Sequence, residues 1–283
     1  MNKILVVGLV GESVFMKCDH FHQEGETIRV KNIYTEIGGK GYNQALTIKT
    51  LGGNVSFVCA LGVDSTKDYC LNEMNKMNMD YHYFLDDKNK TAYANILTDK
   101  NGNNQVSVYP GAKLYDENIE EIYRLIDDAT YILLQLEIPY NINLKIAKYA
   151  KALNKTVILN PAPAQDIQEL LQHVDIITPN EIEAVTLFGE DYKHVLLNKH
   201  FKTIVTRGKK PTLLIDNDIK EYPVEKVKAV DTTGAGDVFN GALVYYLSIG
   251  KTLEYALIEA NKVASKTVQY NYVLPGILNL KKD

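Results

Sequence analysis

The sequence predicts an α/β fold, a three-layer doubly wound sheet with a small β-sheet added as a lid. Three observations point there. Short Val- and Ile-rich apolar runs recur along the chain, segments of helical period separate them, and two stretches break this rhythm with polar–apolar alternation. Continuous apolar runs suit strands buried on both faces, and helical segments between them suit crossover connections in a parallel sheet. Alternation suits strands solvated on one face. A chain of 283 residues buries roughly three quarters of its unfolded surface, so this fold needs no metal or disulfide staple.

Taken in order, the first apolar run, Ile4 to Val10, follows Met-Asn-Lys and could pass for a short secretion signal. It ends at Gly11-Glu12 with no small-residue cleavage pattern, so it reads as the first buried strand. Thr27 to Ile37 alternates and opens the accessory sheet. Val55 to Cys59 returns to the main sheet. Thr91 to Leu97 and Gln105 to Tyr109 bracket Asp99-Lys100-Asn101-Gly102-Asn103-Asn104, whose Asn-Gly pair signals a hairpin. Tyr131 to Leu134, Thr156 to Leu159, Ile176 to Thr178 and Thr203 to Val205 supply further central strands. No Pro/Gly/Ser-rich linker separates the alternating stretches from the rest, so residues 1–283 read as a single domain with a lid formed by about 12–37 and 91–109.

Thirty-five acidic residues against 31 basic ones give a net charge of −4. With no basic block to track phosphates, nucleic acid is disfavoured as a partner. No stretch approaches the ~18 apolar residues of a membrane span. Cys18, Cys59 and Cys70 lack CxxC spacing and are odd in number, which suits free thiols in the cytoplasm.

The segment richest in chemistry is Ala229 to Ala242. Gly234, Ala235 and Gly236 precede a helical pattern running from Asp237 to Ser248, an arrangement that offers backbone N–H groups and a helix dipole to an anion. An acid at that point either caps the helix or accepts a proton from an attacking hydroxyl. Gly38-Gly39-Lys40-Gly41-Tyr42-Asn43-Gln44-Ala45 reads either as a Gly-rich turn opening a helix or as a loop that lets a ligand approach the backbone. Glu137 ends a predicted strand, where ligands of open α/β sheets sit. Asn180 and Glu183 suit either a capping box or Mg²⁺ held through water.

Asp231-Thr232-Thr233-Gly234-Ala235-Gly236-Asp237-x-Phe239-x-Gly241-Ala242 resembles the C-terminal signature of the PfkB carbohydrate kinases, the ribokinase family, and Gly38 to Ala45 resembles the N-terminal one. Gln135-Leu136-Glu137, Asn160-Pro161-Ala162-Pro163 and Thr178-Pro179-Asn180-Glu181-Ile182-Glu183 follow in the family's order, and the likeness runs from about residue 3 to about residue 270. The resemblance implies transfer of the γ-phosphoryl group of ATP to a primary alcohol of a sugar-like substrate. It implies Asp237 as the base, the amides of Gly234, Ala235 and Gly236 as an anion hole, and Gly39, Lys40, Gly41, Asn43 and Glu137 as sugar contacts. Asn180, Thr206, Gly208 and Asn261 match nucleotide-binding positions, with Mg²⁺ supported by Glu183. Asp231 and Thr233 match positions that bind K⁺ in ribokinases, although Tyr272 falls near an expected glycine of that cation loop.

Where ribokinases carry Asn-x-Asp after the first strand, this chain has Gly11 and Ser13. Strand alternation turns the intervening Glu12 to the opposite face. A Ser hydroxyl and a bare glycine grip a vicinal diol less well than a carboxylate, which argues against ribose. The rival readings are a nucleoside kinase of the same family and a non-catalytic sugar or nucleotide sensor on this fold. In the family, lids of this kind pair between subunits, so a homodimer is expected. Gly250-Lys251-Thr252 lacks the glycine spacing of a phosphate loop, Gly8 to Gly11 lacks that of a dinucleotide fingerprint, and His20 and His22 have no third ligand in register.

Overall fold

A computed structural model of the protein describes residues 1–101 and 103–282; Gly102, in the expected Asn-Gly turn, lies outside them. The chain opens with β1 (Ile4–Val7), buried at every position. Ile4 and Val6 pack into the core on one side of the sheet, Leu5 and Val7 into the core on the other. That two-sided burial explains why the run is apolar without alternating.

From β1 the chain leaves for a second sheet through β2 (Gly11–Lys17) and β3 (Asn32–Gly38). It returns through α1 (Lys40–Thr50), β4 (Val55–Leu61), α2 (Ser65–Lys76) and β5 (Asp80–Leu85). Asp64 caps α2 by accepting from the Lys67 N–H at 2.9 Å, and it also accepts from the Thr91 N–H and hydroxyl, both at 2.8 Å. One carboxylate thus ties a helix start to the entry of β6 (Ala92–Thr98), which pairs with β7 (Asn104–Tyr109) in the second sheet. The chain then alternates through α3 (Ile119–Asp127), β8 (Tyr131–Gln135), α4 (Tyr140–Ala152), β9 (Thr156–Asn160), β10 (Ile176–Ile177), α5 (Glu181–Phe188), α6 (Tyr192–Val195) and β11 (Lys202–Val205). It closes with β12 (Thr212–Ile215), β13 (Ile219–Tyr222), α7 (Ala235–Ser248), α8 (Leu253–Thr267) and α9 (Val273–Leu278).

Among the described residues the main sheet has nine strands in the order β13-β12-β11-β10-β9-β8-β1-β4-β5. Pairing is parallel from β11 to β5, and β12 and β13 add an antiparallel edge. The core on one side takes Leu46 of α1, Met74 of α2, Phe239 of α7 and Leu257 of α8; the other takes Ile122 of α3, Ile146 of α4 and Tyr192 of α6. Three layers result. The chain runs outward from β1 to β4 and β5, then restarts in the opposite direction at β8, so the strand order reverses between β1 and β8. The crevice beyond the carboxyl ends of strands at such a switch point is where open α/β sheets bind ligands.

The second sheet has the order β3-β2-β6-β7. Its registers set Ser13 opposite both Glu36 and Ala94, and Ala94 opposite Val108. The alternating stretch becomes a strand only from Asn32, not from Thr27. The Lys31 N–H bonds the Lys17 carbonyl at 2.7 Å, and β2 ends at Lys17, so residues 27–30 have no β2 residue left to pair with. All of β7 is exposed.

Candidate active site

A cleft of about 180 Å³ lies at the switch point, between the main sheet and the second one. Its floor is the first turn of α7. Gly234 precedes that helix in the left-handed conformation, φ 72° and ψ 0°, and Asp237 follows in the first turn with 7% of its surface exposed. The Asn43 side-chain amide donates to Asp237 Oδ2 at 2.9 Å. Burial pushes the Asp237 carboxyl up, while the charge of Lys40 and hydrogen bonds from Asn43 and Gln44 pull it back. Lys40 is held above its ordinary value chiefly by the Asp237 charge, against the opposing effect of burial.

Opposite stands Glu137, just past β8, whose Oε2 accepts the Lys40 backbone N–H at 2.8 Å. Burial raises its carboxyl to about 7, with Lys40 lowering it and Asp237 raising it further. α1 can present Lys40 and Asn43 here because glycines let two backbones touch. A Cβ on Gly41 would lie 2.6 Å from the Gly8 Cα. Gly39 sits at φ 106°, ψ 140°, and a Cβ there would collide with the Leu9 carbonyl.

Beneath the cleft runs a chain of buried polar side chains. Gln135 Nε2 donates to Gln44 Oε1 at 2.6 Å, and Gln44 Nε2 to Asn160 Oδ1 at 3.2 Å. Asn160 Nδ2 donates to the Thr178 carbonyl, the Thr178 hydroxyl to Asn240 Oδ1, and Asn240 Nδ2 to the Gly236 carbonyl at 2.8 Å. It links α1 and the ends of β8, β9 and β10 to the first turn of α7. Gln135, Asn160 and Thr178 lie within the quoted short motifs and Gln44 and Asn240 within the two longer ones, but nothing in their spacing reveals that they form one chain.

Among the residues singled out from sequence, Gly11, Ser13, Gly39, Lys40, Asn43, Glu137, Thr233, Gly234 and Asp237 all line the cleft. Glu12 also borders the cleft, while its carboxylate accepts from the Thr66 hydroxyl of α2 at 3.4 Å. Two expectations change. The Ala235 N–H closes a turn onto the Thr232 carbonyl at 3.2 Å, so it is engaged within the loop. Asn261 is buried in α8, where Oδ1 accepts from the Thr212 hydroxyl at 3.0 Å; it packs beneath β12 rather than standing open to a ligand.

Asn180 and Glu183 do form the capping box, each side chain accepting the other's backbone N–H at 2.8 Å. Burial raises Glu183, and its charge interacts with Lys40 and Asp237, which brings the box into the electrostatics of the cleft. Thr206 bridges to Asn180, its N–H bonding the Pro179 carbonyl at 3.0 Å, and Gly208 turns at φ 60°. Asp231 accepts the Thr233 N–H at 2.9 Å and the Tyr272 N–H at 3.1 Å.

A switch-point cleft floored by a helix start with a buried carboxylate, and lined by amide, ammonium and carboxyl groups, defines an α/β enzyme for a small polar ligand. Comparison with known proteins makes this specific. A family model described as pfkB family carbohydrate kinase matches residues 1–277. A ribokinase of Staphylococcus aureus (strain COL) is 33% identical over 285 residues, covering 95% of this chain and 94% of that one. Ribokinase from Thermotoga maritima superposes with a TM-score of 0.88 at 34% identity over the full length of both chains. Arabidopsis thaliana ribokinase complexed with ribose and ATP superposes at 0.83, with 27% identity over 100% of this chain and 99% of that one. The chain belongs to the pfkB family of carbohydrate kinases, and it is a carbohydrate kinase.

Proposed function

We propose that this protein transfers the γ-phosphoryl group of ATP to a primary hydroxyl of a small sugar, with Asp237 as the proton acceptor. The observation that carries the reading is the placement of Asp237: buried, at the amino end of α7, and facing one cleft with Asn43, Lys40 and Glu137. Phosphoryl transfer rests mainly on positioning and on neutralising charge around the moving group. The Gly234–Gly236 turn and the α7 dipole supply fixed positive potential for that charge, and Asp237 takes the hydroxyl proton as the oxygen attacks.

Gly39, Lys40, Gly41, Asn43 and Glu137 hold the sugar, with Gly11 and Ser13 on the roof. Because Gly11 and Ser13 themselves offer no carboxylate, a sugar other than ribose is the preferred acceptor. The second sheet acts as a lid that excludes water, the competing acceptor. Asn180, Thr206 and Gly208 bind the nucleotide on the α5 and β11 side, and Asn261 acts from beneath it through Thr212.

Mg²⁺ fits this reading. Among the described residues no three acidic, His or Cys side chains converge on a cage, but Mg²⁺ in such sites takes one or two carboxylates and completes its shell with phosphates and water. Glu183, with one oxygen outside its capping bond, meets that need. When bound, the ion would neutralise phosphate charge. We assign K⁺ no step: Asp231, beside Thr233, accepts one backbone N–H on each carboxylate oxygen, bonds that tie the loop together without a cation. No described helix is long and apolar enough to cross a membrane. The buried free thiols Cys18, Cys59 and Cys70 support a cytoplasmic, reducing setting.

A coupled ADP-release screen over pentoses, hexoses, sugar phosphates and nucleosides tests the reading. A free sugar other than ribose is expected to give the highest kcat/KM; ribose giving it overturns the substrate reading, and no turnover with any overturns the activity. Nucleosides belong in the panel because Ala94, Ile96, Val106 and Val108 make the roof apolar, a surface on which a base could rest.

Glu137 sets a pH dependence. Its carboxyl titrates at about 7 rather than 4.5, so below about 7 it loses the negative charge that accepts a sugar hydroxyl. We expect kcat/KM for the sugar to fall on acidification through this range, and the fall to vanish in Glu137→Gln, which starts low. The stability effect has the opposite direction. Between 4.5 and about 7 the folded carboxyl keeps a proton that the unfolded chain releases, so the free enzyme loses stability as pH rises through that window. Thermal melts of wild type and Glu137→Gln from pH 5 to 8 check the sign.

The fully exposed β7, which ends the second sheet and leaves Val106 and Val108 exposed, supports a homodimer joined through the lid. Light scattering at micromolar concentration is expected to give twice the 31.8 kDa chain mass; a monomer alone would sink this proposal.

A further inference from the structure

We propose that Glu36 is a positioning residue for phosphoryl transfer, a strut from the second sheet that fixes the Gly234 turn through Val273. The proposal rests on the reading of that turn given above.

Glu36 lies in β3 with 2% of its surface exposed. Its carboxylate accepts two successive backbone N–H groups at the start of α9, from Val273 at 3.1 Å and from Leu274 at 3.0 Å. The Val273 side chain in turn occupies the space where a Cβ on Gly234 would stand, with Cγ1 2.6 Å from that position. A shift of Val273 is therefore transmitted directly to the backbone of Gly234.

A second link runs in parallel. Asp231 accepts both the Thr233 and Tyr272 N–H groups, joining the residue before Gly234 to the residue before Val273. Tyr272 has φ 66° and ψ 164°, a combination that glycine adopts and other residues hold only when their surroundings over-determine them. Here the surroundings are again β2 and β3. The Tyr272 ring stacks on Tyr34 at 3.9 Å and 19°, and meets Phe15 edge-on at 5.1 Å. Tyr34 and Glu36, two positions apart on β3, thus grip residues 272–274 by ring and by carboxylate. Strain held in this way clusters at functional sites, and the strained residue adjoins the phosphate turn.

A merely structural buried acid would lower the melting temperature when removed and leave kinetics intact below it. A strut should instead lower kcat, because displacement of catalytic groups by about 1 Å costs about 10²-fold, while nucleotide affinity is set elsewhere. We expect Glu36→Ala to lose kcat by about that factor, with the KM for ATP nearly unchanged. Glu36→Gln, which keeps an acceptor for one of the two N–H groups, should recover part of the loss. Wild-type kcat in Glu36→Ala, or a loss confined to KM for ATP, overturns the proposal. If Glu36→Ala does not fold, Val273→Ala reads the same link: lowered kcat at unchanged KM for ATP supports it, and wild-type kcat overturns it. Asp237→Asn in the same assay separates the two readings. An inactive Asp237→Asn beside a fully active Glu36→Ala refutes the strut alone, whereas an active Asp237→Asn refutes the site reading and the strut with it.

Discussion

Replacing Asp237 with Asn is expected to lower kcat by about 10²- to 10⁴-fold, the range over which a positioned proton acceptor contributes. The substitution is close to isosteric, and the Asn43 amide that now donates to Asp237 Oδ2 can still donate to the new carbonyl oxygen, so the α7 start should keep its geometry. What is lost is basicity at the oxygen facing the cleft. Asn180, Thr206 and Gly208, which hold the nucleotide, are untouched, so ATP should bind with nearly unchanged affinity, and the loss should appear in kcat and kcat/KM together. Loss of that charge should also let the Lys40 ammonium titrate lower, since Asp237 is the main group holding it up. A variant retaining wild-type kcat would mean that another group takes the proton.

The second large effect is expected at Gly39. Its φ of 106° lies where side chains are strained, and an added Cβ meets backbone at Leu9, which cannot rotate away. Strain and overpacking together predict a cost of about 2–6 kcal/mol for Gly39→Ala. Gly52 makes a matched control, for it has a φ of 88° with nothing within 4 Å of its would-be Cβ, so Gly52→Ala reports the conformational cost without the collision. Chemical denaturation of both should show the Gly39 variant as clearly less stable. The sugar kcat/KM should fall in that variant alone, because moving Gly39 pulls the Lys40 N–H away from Glu137. Equal destabilisation in the two variants would show that the close approach to Leu9 is not rigid.

The main sheet was legible because its strands are buried on both faces, so β1, β4, β8 and β9 announce themselves as continuous apolar runs. The second sheet was legible through alternation, but the start of β3 was not. Residues 27–30 alternate like a strand and lack only a partner, and partners are set by where β2 ends. The cleft segments could be found because glycine is demanded at Gly39 and Gly41 by close backbone approach and at Gly234 by a left-handed φ of 72°. Glu36 escaped notice for the opposite reason. In an alternating strand an acid reads as solvent-facing, and nothing nearby in the chain reveals that the α9 amides, more than 230 positions later, would bury it. The Asn261–Thr212 bond was not legible, because a polar side chain on a helix looks the same whether it meets a ligand or a strand hydroxyl.

The buried polar chain beneath the cleft also constrains how this sequence can vary. Each of Gln135, Gln44, Asn160, Thr178 and Asn240 supplies or accepts a bond for a neighbour on a different element, so an apolar replacement of one strands a donor or acceptor on the next. Neighbours in one network couple non-additively. Substitutions that are harmful singly should then be partly rescued in pairs, and viable variants should be reached through linked rather than independent changes. In this region the order in which mutations arrive matters, whereas β1, whose four residues Ile4 to Val7 are all apolar, leaves that order free.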